Sequence, residues 1–147
     1  MAHWIAQLLM GALTYSFVGY WLHRLWHRAL RHGHRLPGRE GERQHHIAWD
    51  KPGRHAGNLG APGGSVAVAI LCVSVFIGWP FAFGAMTAFA VDEHVHQRAH
   101  LCPHGGMLHR LHRVHHEKHF CNYAFASGLM WDWAFRTLDT GKGSTNA

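Results

Sequence analysis

Hydrophobic and polar positions divide the chain into alternating blocks. Residues 2–22, AHWIAQLLMGALTYSFVGYWL, and 65–91, SVAVAILCVSVFIGWPFAFGAMTAFAV, contain no Asp, Glu, Lys or Arg. The first block matches the roughly 20 residues with which a helix crosses a bilayer. Trp4 lies near one end, and Tyr20 and Trp21 near the other, the placement of interfacial aromatic belts. A cleavable signal peptide fits less well, because no basic stretch precedes the apolar run and no clear small-residue cleavage site follows it. Residues 2–22 therefore read as a membrane-spanning helix.

As a single helix the second block would run about 40 Å, long for a hydrocarbon core of about 30 Å. Gly78-Trp79-Pro80 divides it near the middle. That break predicts an apolar hairpin that enters and leaves on one side, with a single kinked span as the other reading. The polar blocks, 23–64 and 92–140, carry the rest. The first starts helical and then turns rich in Gly, Pro and charge, with turn signals at Pro37-Gly38 and Pro52-Gly53. Segments 23–64 and 98–118 are both rich in Arg and Lys, which places both on the cytoplasmic face. A hairpin satisfies this; a single span would put them on opposite sides. The expected architecture is an all-α integral-membrane protein forming one domain over 1–147. It has an N-terminal span, a second apolar hairpin and a cytoplasmic histidine-rich helical cap.

The formal charge is +6. Arg24, Arg28, Arg31, Arg35, Arg39 and Arg43 follow directly on the first apolar segment, so this charge suits a membrane face better than nucleic acid, and no nucleic-acid partner is expected. Cys72, Cys102 and Cys121 form no CxxC pair and no even disulfide framework. They read as reduced thiols, Cys121 being a conceivable ligand but more naturally a packed side chain.

Histidine changes the picture most. Of seventeen, nine fall in four clusters: His23 and His27; His45 and His46; His96 and His100; His112, His115 and His116. Positions i, i+3 and i+4 share a helix face, so these clusters can aim several imidazoles at one point. Neutral imidazole is the commonest side-chain metal ligand, and nine exceed one octahedral shell, which implies two ions. An all-nitrogen donor set suits Fe, Zn, Cu or Ni. His109 and His119 flank the last cluster and are candidates for the ligand set or its supporting partners. His3, His32, His55 and His104 read as ordinary solvated or hydrogen-bonded side chains. Among nearby carboxylates, Glu42, Asp50, Asp92, Glu93 and Glu117, Glu93 is the first candidate to orient a ligand ring through its second nitrogen.

The ordered clusters HRLWH, RQHHIAWDKPGR, DEHVHQRAH and HRLHRVHHEKHFCNYAFASGLMWDWAFRTL resemble the fatty acid hydroxylase and sterol desaturase superfamily from Tyr20 to Leu138. The most specific block is HRVHH, then Asn122-Tyr123, Ser127, Trp131-Asp132 and Phe135-Arg136-Thr137, similar to a closing WDxxFGT motif. The resemblance implies two iron ions, zinc being an inactive or recovered form, held by His23, His27, His45, His46, His96, His100, His112, His115 and His116. It implies O2-dependent hydroxylation of a fatty-acyl or sphingolipid chain, or of a carotenoid ring. Electrons would come from a separate donor such as a ferredoxin or a cytochrome b5-type protein. No catalytic residue beyond the ligands is assigned. Tyr123, Phe125 and Trp131 are candidates to line a lipid channel, or simply to pack. A function of another class is a membrane metal-binding or metal-sensing protein without oxygenase activity. Two departures stand out. Glu42 occupies the first position of an HxxHH motif, so that either Glu42 substitutes as an oxygen ligand, or His34 takes that place, or one metal site is incomplete; and Arg136 stands where the family usually has Gly.

Overall fold

The computed structural model describes residues 1–35, 39–47, 61–101, 106–123 and 126–141, and the side chains of 39–42 and 61–67 lie outside that description. Among the described residues six α-helices follow one another: α1 Ala2–His32, α2 Arg39–Ile47, α3 Ala61–Ile77, α4 Trp79–Leu101, α5 Met107–Lys118 and α6 Leu129–Ala134. A 3-10 turn, Ala126–Gly128, precedes α6, and no strand occurs among the described residues.

The first apolar block does not end its helix at residue 22. Helix α1 continues through the basic HRLWHRALRH stretch until Gly33, whose φ of 71° places it in the left-handed region and stops the helix. That continuity carries His23 and His27 off the end of the apolar segment on one rigid element. Helix α1 is the one helix among the described residues that is long and apolar enough to cross a membrane, and Val68–Ile77 forms a shorter apolar helical stretch. The second apolar block breaks at Gly78, between α3 and α4, where φ is 126°.

Helices α1 and α4 form the principal packing pair, and α3 packs on both. Their contact is backbone to backbone. A Cβ on Gly11 would lie 2.0 Å from the Phe81 carbonyl oxygen, and one on Gly84 would lie 2.0 Å from that of Leu8. Only glycine at both positions permits this approach, the small-residue packing typical of helices in lipid. Tyr15, Ile70, Phe81, Ala85 and Ala88 make the core around it. Large apolar side chains face outward instead, including Leu9 and Leu13 of α1, Val75 and Phe76 of α3 (82% and 90% exposed) and Phe83 of α4.

Candidate metal centre

Helix α2 contacts α1 and α3, and α5 packs on α4. This brings four helices, α1, α2, α4 and α5, to one place. The nine clustered histidines meet there as two groups: His45, His96, His100, His112 and His116 in the first, and His23, His27, His46 and His115 in the second. Within each group one ring nitrogen per residue lies within 4.8 Å of all the others.

The adjacent pairs divide between the groups. His45 enters the first and His46 the second; His116 enters the first and His115 the second. Successive residues on a helix point about 100° apart, so a His-His pair at the seam can serve both sides. The groups consequently adjoin, with the His46 and His116 ring centroids 4.5 Å apart. His23, His27, His112, His115 and His116 are buried, while His45, His46, His96 and His100 are half-buried.

Nε2 atoms face Nε2 atoms throughout. The separations are 3.0 Å for His96–His45, 2.9 Å for His112–His100 and 3.0 Å for His116–His112 in the first group. In the second they are 3.1 Å for both His27–His23 and His46–His27. With a metal–imidazole bond of about 2.1 Å, nitrogens at right angles in a coordination shell lie about 3.0 Å apart. Tetrahedral neighbours would lie about 3.4 Å apart by the same trigonometry. These five contacts are short enough for nitrogens that share one ion, and every separation within each group stays within 4.8 Å.

Two ring orientations are fixed from outside. His23 Nδ1 lies 2.7 Å from the Tyr123 carbonyl oxygen, and His115 Nδ1 lies 2.7 Å from that of Cys121. A carbonyl only accepts, so each Nδ1 carries the proton and each Nε2 is left with a lone pair. His115 Nε2 is buried and has no hydrogen-bond partner. A buried lone pair left unmet costs about 1–3 kcal/mol, and a cation bound among these nitrogens would recover it. The donor set thus fits metal ions on the evidence of its own geometry.

Charge state agrees. Burial, and then the neighbouring imidazoles, hold His112, His115 and His116 well below the ordinary histidine range. These rings are neutral at physiological pH, the form that ligates.

The remaining candidates take other places. His34 is exposed on the loop after α1 and belongs to neither group. The Glu42 side chain, Phe125, His55 and His104 lie outside the described residues. His109 is half-buried and belongs to neither group. His119 caps α5 with φ 63° and places its Nδ1 3.0 Å from His46 Nδ1, supporting that ligand from behind. Glu93 accepts from the Gln97 side chain one helical turn on; the ring acceptors seen at His23 and His115 are backbone carbonyls instead. Cys121 is buried, and its thiol is pushed up to about 11, first by burial and then by Asp139; it packs as a neutral group. Tyr123 is buried against Tyr20, His23 and His27, and the half-buried Trp131 donates its indole N–H to Ser16 Oγ at 3.0 Å.

Against known proteins, the chain matches no family model, no curated protein and no solved structure.

Proposed function

We propose that this protein is a membrane-bound di-iron oxygenase that hydroxylates a lipid chain. The observation that carries the reading is the convergence of nine imidazoles into two adjoining groups at the end of a helix apolar enough to cross a bilayer. All nine are the positions that the resemblance to the fatty acid hydroxylase superfamily implies. A second detail agrees. Arg136, where that family usually has Gly, has φ 56°, a left-handed conformation that glycine adopts without cost.

In this reading α1 spans the bilayer, and α3 with the start of α4 forms the apolar hairpin. The histidine groups and their basic flanks lie at the cytoplasmic surface. His45, His96, His100, His112 and His116 hold one iron, and His23, His27, His46 and His115 hold the other. Bound iron supplies the redox chemistry for using dioxygen against an unactivated C–H bond, which zinc lacks. The chain's own part is to present neutral, oriented nitrogens, to shield them and to admit an apolar chain. Beside His96 and His112 of the five-histidine group lies a small cleft of about 10 Å³, room for about one water molecule, with Val95, Ala99, Leu108, Leu111, Ala126 and Leu129 in its walls. These apolar walls would have to part to admit a methylene chain. One oxygen atom enters the C–H bond and the other leaves as water, with two electrons from a separate donor and two protons.

The test is to load the full chain with iron in nanodiscs and supply a fatty-acyl or a carotenoid substrate, a reduced ferredoxin or cytochrome b5-type donor and O2. Two irons per chain and a hydroxylated product coupled to O2 uptake support the reading. Two metals bound, with fatty-acyl and carotenoid substrates both unchanged, would leave a membrane metal-binding protein in its place.

A further inference from the structure

The closing block of the sequence is built around Asp132, a carboxylate with no exposed surface. It sits on the short helix α6 and belongs to neither histidine group. Its Oδ1 accepts the backbone N–H of Tyr123 at 2.9 Å and the Thr137 hydroxyl at 2.7 Å. The Thr137 carbonyl accepts the backbone N–H of Asn122 at 2.9 Å. Asn122, at φ 51°, donates its side-chain amide to the carbonyls of Leu111 and Asp139 and accepts the Asp139 backbone N–H. Three residues, Cys121 to Tyr123, are thereby held by bonds from α5, α6 and the segment after it. The Thr137 hydroxyl also receives the Tyr20 hydroxyl at 3.0 Å, and Tyr20 in turn receives Arg24 at 3.2 Å. The clamp is tied to the same helix that carries His23 and His27.

What this segment presents inward is a pair of carbonyls. The Cys121 carbonyl takes the Nδ1 proton of His115, and the Tyr123 carbonyl takes that of His23, each at 2.7 Å. The Asn122 N–H that bonds Thr137 belongs to the same peptide unit as the Cys121 carbonyl, so fixing one orients the other. Both histidines belong to the four-residue group, and neither belongs to the five-residue group.

We infer that Asp132 is a positioning residue for one metal site only. Through the Cys121–Tyr123 segment it sets the tautomer and ring orientation of His115 and His23, and so tunes the four-histidine site while the five-histidine site stands independent of it. The inference rests on the reading that these groups bind metal. An outer partner of a ligating histidine commonly contributes 10–100-fold in affinity, and Asp132 supports two such ligands together.

The experiment is calorimetric titration of the full, metal-free chain in detergent with Co2+ alone, with His45→Ala and His46→Ala assigning the two binding steps. For Asp132→Ala the step assigned to the four-histidine site weakens about 10–100-fold, while the five-histidine step is unchanged and reports an intact fold. Asp132→Asn keeps an acceptor oxygen at that position and restores the weakened step to within a few-fold. Thr137→Val, a milder lesion, weakens the same step alone and decides the matter if Asp132→Ala fails to fold. Equal weakening of both steps, or no weakening, in the folded variants overturns the positioning role. A wild-type chain that takes up no Co2+ overturns the metal reading itself, a result separate from the others.

Discussion

Acidification of the metal-free protein tests whether the centre holds neutral imidazoles. His112, His115 and His116 are buried on α5, and burial together with surrounding rings keeps them from protonating in the folded state. In the unfolded chain each takes up a proton near the ordinary value of about 6.5. Below that pH the unfolded state binds more protons than the native state. The stabilisation is therefore fully present above about pH 6.5 and is lost as pH falls. A ring that stays neutral while its unfolded counterpart protonates costs about 1 kcal/mol for each pH unit below that value, a sizeable part of a typical total stability of about 5–15 kcal/mol. Thermal unfolding of the chelator-stripped full chain, followed by helical circular dichroism in detergent from about pH 8 to pH 5, measures it. The expected Tm is level above about pH 7.5 and falls by about 10 °C by pH 5.5. A level Tm across the whole range would refute neutral burial of these rings.

Three further outcomes are expected. His45→Ala and His46→Ala, adjacent on α2, each abolish or strongly weaken one binding step out of two, but not the same one; metal content per chain and calorimetry on the pair check this, and loss of the same step in both would contradict the division of the groups. Gly84→Ala forces the backbones of α1 and α4 apart and costs about 3 kcal/mol, the upper part of the usual overpacking range, read as a lowered Tm in detergent; an unchanged Tm would contradict the close approach at the Leu8 carbonyl. Arg136→Gly relieves a left-handed residue and raises stability by about 1 kcal/mol; a lowered Tm would show that the Arg side chain contributes more than its backbone conformation costs.

Periodicity made the donor set legible because helical spacing is a local property: His23 with His27, His96 with His100, and His112 with His115 and His116 share faces whatever surrounds them. The absence of charge over 2–22 likewise exposed the apolar helix, although its continuation to His32 depended on Gly33 rather than on the end of the hydrophobic run. What spacing could not show was which imidazole serves which group. A His-His pair reads as one cluster along the chain, yet its two rings diverge in space, and only the arrangement of α1, α2, α4 and α5 assigns them. The supporting acceptors were hidden for a different reason. Sequence reasoning favoured carboxylates such as Glu93, because a carboxylate is visible in the residue alphabet. A backbone carbonyl is present at every position and so carries no signal of its own. The trace it leaves lies in the residues that bend and hold the chain around it: Asn122 in a left-handed turn, Thr137, and the fully buried Asp132. The carbonyls that these residues of the closing motif hold in place fix two of the four rings in the second group. A motif of that kind is legible as a pattern before it is legible as chemistry, and the chemistry appears only when the backbone between its residues is followed.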